Sequence, residues 1–187
     1  MVSFANAFTK YPGWKLKQQW PYFLLVFAVP VLAILWWWGL FSKATVEVAE
    51  RGPYHYAYLA AKGPYSKLAQ THAEVDAILR QQKIAAGKSV TLILDDPRTT
   101  PTDERRARTG FLIPEDAAPA QPLLTDSIPA RRVISVKVRA HPIFAYGKAY
   151  GALLDYMQQQ HLQLQLPTLE IYDASILTVE MPLENNL

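Results

Sequence analysis

The sequence predicts an α+β domain of two tandem, pseudo-symmetric βαββ repeats. It forms one sheet with two helices on one face, preceded by one transmembrane helix. Three observations lead there: an apolar run from Tyr22 to Phe41 without a charge, a strand–helix–strand–strand pattern that occurs twice after it, and alternating residues within the strands. A chain of 187 residues is long enough for one such domain and an appendage. The expected divisions are an N-terminal juxtamembrane segment (1–20), a transmembrane helix (21–42) and the folded α+β domain (44–187).

The first segment carries Phe4, Phe8, Tyr11 and Trp14 among lysines. Such a mixture suits a helix lying against lipid headgroups, and it suits a disordered tail equally. The apolar run that follows is about 20 residues long, enough for a helix to cross a bilayer. Trp20 and Tyr22 stand at one end and Trp36, Trp37 and Trp38 at the other, as in interfacial aromatic belts. Bulky tryptophans argue against a cleaved signal peptide, and the missing polar face argues against a core helix. Lys10, Lys15 and Lys17 precede the run, against Lys43 and Arg51 after it. The sequence therefore predicts a single-pass protein with a cytoplasmic N-terminus and the domain on the exported side.

Beyond Ala44, Thr45–Val48 alternates as a strand, and Arg51-Gly52-Pro53 is a turn. Tyr54–Ala61 alternates again. Gly63-Pro64 opens a helix whose buried stripe runs through Tyr65, Leu68, His72, Val75, Ile78 and Leu79. On that stripe His72 reads first as a core or boundary histidine. Strands are expected at Val90–Asp95 and Gly110–Ile113, with a polar loop over Arg98–Thr109. Pro114–Pro129 reads as a proline-rich connector. The second repeat has a strand at Val133–Ala140 and a helix opened by His141-Pro142, with Ile143, Tyr146, Tyr150, Leu153 and Met157 on its stripe. It closes with strands at Thr168–Tyr172 and Leu177–Met181.

Composition excludes several classes. With no cysteine there is no disulfide and no thiolate metal site, and a net charge of +3 gives no basis for nucleic-acid binding. His55, His72, His141 and His161 are scattered, so no metal and no cofactor are expected.

The candidate site centres on Glu170. Alternation puts Leu169 and Ile171 on one face of their strand, and Thr168, Glu170 and Tyr172 on the other. Aligning the repeats sets Glu170 against Ile93, so the fold itself does not require an acid there. If Leu59, Leu92, Leu94, Leu169 and Ile171 lie under the helices, then Tyr56, Tyr58, Ile93, Glu170 and Tyr172 point to the uncovered side. Aromatic walls around one acid suit a flat or cationic molecule, by stacking, cation–π attraction and charge pairing. Phe111 completes the candidate set. The competing account is an ordinary sheet surface, with Glu170 paired to Lys137 or Arg139.

Four stretches resemble the GyrI-like small-molecule-binding family, the effector-binding domain of AraC- and MerR-type regulators. They are Lys62-Gly63-Pro64-Tyr65, the run from Leu94 to Pro101, Arg106 followed by Gly110, and the run from Pro167 to Tyr172. The resemblance implies the tandem βαββ fold with a ligand cleft between its halves. It also implies that Glu170, beside Tyr172, meets cationic aromatic ligands. The residues ahead of the domain show no helix-turn-helix pattern, and the second helix opens with His141 where the family commonly has glycine. The expected partners are thus a small-molecule ligand and the bilayer through 21–42, without nucleic acid; protein partners are unknown. Two alternatives stand beside binding. One is hydrolysis of reactive, cyclopropanoid-type molecules with Glu170 as general base. The other is a membrane-tethered protein-interaction module.

Overall fold

The computed structural model describes residues 16–183. The expectations for residues 1–15, most of the juxtamembrane segment, and for 184–187 lie outside the described residues. The chain divides between Leu40 and Phe41 into two units.

The first unit contains helix α1 (Leu16–Trp37). It stops because Gly39 takes a left-handed backbone, φ 80°. The amide of Leu40 then bonds the carbonyl of Leu35 (3.0 Å), and that of Gly39 bonds Trp36 (2.9 Å). This pair of bonds is a Schellman cap, which glycine enters without a Cβ clash. Five consecutive large apolar side chains along it, Phe23, Leu24, Leu25, Val26 and Phe27, are all more than half exposed. The span expected at 21–42 is not supported. Among the described residues no helix is long and apolar enough to cross a membrane. The observed helix also begins earlier, taking in Lys17, and ends at Trp37, short of the expected boundary.

The second unit is an antiparallel sheet with two helices. Its elements are β1 (Thr45–Arg51), β2 (Tyr54–Lys62), a 3₁₀ turn at Tyr65–Lys67 and α2 (Leu68–Gln81), then β3 (Ser89–Ile93) and β4 (Arg106–Leu112). β5 (Leu124–Ile128), β6 (Arg131–Arg139), α3 (Pro142–Gln159), β7 (Thr168–Asp173) and β8 (Ile176–Pro182) follow. The eight strands are ordered β1-β6-β8-β7-β3-β4-β2-β5. The two repeats therefore meet where β3 pairs with β7, and β1 and β5 extend the edges.

Two elements differ from expectation. β5 lies within the supposed connector, its TDS core hidden among prolines, and pairs with β2 at the sheet edge. β4 begins at Arg106 rather than Gly110, because its arginines are strand residues with partners. Arg106 forks onto Asp95 (2.8 and 3.0 Å), and Arg108 pairs with Asp126. Gly110 is required at its place on β4, since a Cβ there would sit 1.9 Å from the backbone oxygen of Ala57.

Both helices lie on one face. Ala145, Ala149, Leu153 and Met157 of α3 pack on Ile134, Val136, Leu177, Val179 and Met181. Val75 and Leu79 of α2 pack with Ala57, Ile113 and Leu123, and Phe111 and Leu59 close this cluster. The other face is not open. There Tyr56, Tyr58, Val90, Leu92, Leu169 and Ile171 form a buried cluster of their own. Tyr54 on β2 reaches Glu180 on β8 across three intervening strands, with a hydrogen bond of 3.0 Å. A flat sheet would separate those strands by about 19 Å, so the sheet curls strongly toward that face and fills its own hollow.

Candidate functional site

The curl corrects which residues share a face with the helices. Leu92, Leu94, Leu169 and Ile171 belong to the hollow, whereas Ile93, Glu170 and Tyr172 lie on the helix side. In register, β3 and β7 set Thr91 opposite Glu170, Ile93 opposite Thr168 and Leu92 opposite Leu169. With Leu92 and Leu169 at the centre, Ile93 and Glu170 are equivalent positions one residue further along each strand. Both face the gap between α2 and α3.

That gap is a cavity of about 670 Å³, within the usual size of small-molecule sites. Its floor is Ser89, Thr91, Ile93, Thr109, Thr168, Glu170 and Tyr172 from three strands. One wall is Tyr65, Leu68, Ala69 and His72; the other is Pro142, Tyr146 and Tyr150, with Leu164 and Leu166 before β7. Of the candidate residues the structure brings Ile93, Glu170 and Tyr172 together here. Tyr56 and Tyr58 do not reach it: they stack on each other in the hollow, centroids 5.3 Å apart. Nor does Phe111 line it; it lies beside the cavity under α2, with the ring of His72 against it at 4.2 Å.

Glu170 is 9% exposed. Tyr150, on α3, donates a hydrogen bond to its Oε1. Among the described residues no cation pairs with it; Lys137, the partner considered from sequence, instead holds Glu47 at 3.0 Å. Arg139 lies on β6, two strands from β7. Burial pushes the Glu170 carboxyl up to about 7, against the opposing effect of the Tyr150 hydrogen bond. Burial and the neighbouring Glu170 carboxylate raise Tyr150 strongly and push Tyr146 up to about 12. Both phenols therefore stay protonated as hydrogen-bond donors. Tyr65 is raised by burial and gives its hydroxyl to the Asp95 carbonyl at 3.0 Å.

Sequence reasoning missed Tyr65, Tyr146 and Tyr150 as site residues because they sit on helical stripes that read as core. Their signal was chemical: three phenols on two stripes facing one strand acid. Thr91 and Thr109, bonded to each other at 3.1 Å, complete a polar row across the floor to Glu170. At the second helix His141 is the N-cap, its Nδ1 accepting from the Ile143 amide at 3.4 Å. Among the described residues no three His, Asp or Glu side chains are grouped to hold a metal ion.

The chain is similar in fold to several solved structures. The C-terminal domain of EcmrR aligns at 14% identity with TM-score 0.58, over 77% of this chain and 98% of that one. An integron cassette protein from the mobile metagenome of Vibrio cholerae aligns at 6% identity and TM-score 0.55, over 76% and 98%. SAV2435, solved bound to tetraphenylphosphonium, aligns at 12% identity and TM-score 0.51, over 75% and 94%. None of the curated proteins compared matches the chain. The sequence model described as a GyrI-like small molecule binding domain matches residues 44–176, and the chain belongs to that family.

Proposed function

We propose that the cavity between α2 and α3 binds a lipophilic aromatic cation, with Glu170 as its counter-charge. The observation that carries this reading is a buried carboxylate, without a cation partner, at the floor of a cavity walled by Tyr65, Tyr146, Tyr150 and Tyr172. A buried acid without a cation is costly. A bound cation offsets that cost, and the phenol faces add cation–π attraction. The tetraphenylphosphonium complex of SAV2435, a structure of similar fold, supports the same ligand chemistry. Calorimetric titration of the chain with tetraphenylphosphonium tests it, and absence of binding to the wild-type protein sinks it.

The finer placement we propose is a membrane tether through residues 21–42, with the N-terminus cytoplasmic and the domain exported. What supports it is the uncharged run itself and the exposure of Leu24, Leu25, Val26 and Phe27, side chains that water penalises. The lysines at 10, 15 and 17 support the orientation. Alkaline carbonate should leave the protein in the membrane pellet; release into the supernatant refutes the tether. Added protease should reach the domain from the exported side.

One observation favours a second reading, hydrolysis. A carboxyl at about 7 is poised for general base work at neutral pH. Turnover of a cyclopropane-bearing alkylator by wild type, lost in Glu170→Gln, would establish it, and no turnover by either protein leaves binding alone.

A further inference from the structure

The cavity has polar chemistry at the end away from Glu170. The floor row runs Glu170, Thr91, Thr109 on three adjacent strands, which spans about 10 Å at the ordinary strand spacing. The two threonine hydroxyls satisfy each other, and Thr109 also reaches the Val90 carbonyl at 3.5 Å. They have little left to offer a ligand. His72 differs. Its ring lines the cavity and rests against Phe111, which lies two residues beyond Thr109 on the same face of β4.

The Nε2 atom of His72 is sealed from solvent and has no hydrogen-bond partner among the described residues. A buried polar atom left so is costly, and such groups are uncommon unless something completes them. The χ2 torsion of histidine is broad, and a turn about it would present Nε2 to the cavity that the ring lines. Burial favours the neutral ring and holds the His72 pKa below its usual value, against the opposing effect of the Asp76 carboxylate. A neutral imidazole with its proton on Nδ1 accepts at Nε2, and in the other tautomer it donates there.

We infer that His72 is a second recognition point: the cavity selects cations that carry a hydrogen-bonding group at the end away from Glu170, at least the roughly 10 Å by which Thr109 is separated from Glu170 across the floor. This rests on the reading of the cavity as a cation site and names the class of cation more narrowly. A rigid two-ring molecule with an ammonium at one end and a hydroxyl at the other has the required length. A cation of the same shape without the hydroxyl leaves Nε2 unpaired.

The test uses the full chain in detergent at pH 8 and two probes, biphenyl-4-yl-trimethylammonium and its 4′-hydroxy derivative, titrated by calorimetry. Wild type should bind the hydroxylated probe roughly 3- to 10-fold more tightly, the range of one net hydrogen bond. His72→Phe keeps a ring on Phe111 and should bind both probes with the affinity wild type has for the unsubstituted one. Equal affinities in wild type overturn the inference without need of any variant, as does an advantage that survives in a folded His72→Phe. If wild type binds neither probe nor tetraphenylphosphonium, it is the cation-site reading itself that fails.

Discussion

Tyr150, from the middle of α3, donates a hydrogen bond to Oε1 of Glu170 on β7, and among the described residues this is the only hydrogen bond that carboxylate receives. One helix position thus favours the ionised form of an acid that burial pushes toward its neutral form. The second carboxylate oxygen accepts no hydrogen bond among the described residues.

Replacing Glu170 by Gln keeps the shape and removes the charge. Affinity for tetraphenylphosphonium should fall by roughly 2–3 kcal/mol, the Coulomb attraction of two unit charges about 6–8 Å apart at an effective dielectric near 20. Melting temperature should hold or rise, because an unpaired acid no longer has to be buried. Calorimetry and thermal melting on the same protein check both, and clear destabilisation with unchanged binding would reject Glu170 as the counter-charge.

Tyr150→Phe acts on the same acid from the other side. The hydrogen bond favours the ionised carboxylate, so its loss should move the Glu170 pKa above about 7. Cation binding at pH 7 should weaken, then recover as pH rises and the acid ionises. A binding profile from pH 6 to 9 should show its midpoint shifted upward relative to wild type. Equal weakening at every pH would mean that Tyr150 contributes packing rather than charge control.

Stability carries the same signature with a definite sign. Glu170 is raised from 4.5 to about 7, so between those values the folded state holds a proton that the unfolded state has lost. That contribution is complete below pH 4.5 and declines as pH rises to 7, at roughly 1.4 kcal/mol per pH unit. Burial raises Glu180 as well, but it titrates in both proteins. The stability advantage of Glu170→Gln over wild type should therefore grow from pH 5 to about pH 7 and level off above it. Denaturant melts at several pH values measure it, and a constant difference would contradict a raised Glu170.

The strand alternation around Glu170 was legible, and so were both helices and the repeat that makes Ile93 its equivalent. The choice of face was not. Period two tells which residues share a side, but not which side receives helices when the sheet buries both. Leu169 and Ile171 look like helix-facing residues, yet the curl seals them against Tyr56, Tyr58 and Leu92. For the same reason Tyr56 and Tyr58, read as pocket walls, are core. Arg106 and Arg108 disguised the start of β4 as loop, because their partners Asp95 and Asp126 lie 11 and 18 residues away in sequence. Prolines around Leu124–Ile128 hid an edge strand, a place where the sheet tolerates them nearby.

Gly110→Ala tests how closely β2 and β4 are packed. The added Cβ meets backbone, Ala57 oxygen at 1.9 Å and Tyr58 Cα at 2.8 Å, so no side chain can rotate out of the way. The ladder must shift, at a cost of about 3 kcal/mol or more. The variant should melt at least ten degrees lower, about the effect of that energy on a domain of this size. Wild-type melting would show that the strands separate more easily than this geometry allows.

The hollow of the sheet supplies the last prediction. Glu180 is 2% exposed, its Oε1 accepts from Tyr54 at 3.0 Å, and the Arg51 guanidinium stands 3.9 Å away. Among the described residues its Oε2 has no hydrogen-bond partner, and neither has the Ser135 hydroxyl on the paired residue of β6. This acid is thus held by one close hydrogen bond and one long ion pair. Tyr54→Phe removes the hydrogen bond and leaves the carboxyl buried, which should cost about 1–3 kcal/mol. Glu180→Gln removes the charge while keeping an acceptor for Tyr54, so it should cost less. Doing both should cost less than the sum, because each change addresses the same contact. The cavity between α2 and α3 lies on the opposite face, so tetraphenylphosphonium affinity should stay unchanged in all three variants once folded. Additive losses would show that Tyr54 and Glu180 stabilise the curl independently. Weakened cation binding would show that the curl of the sheet sets the geometry of the cavity floor.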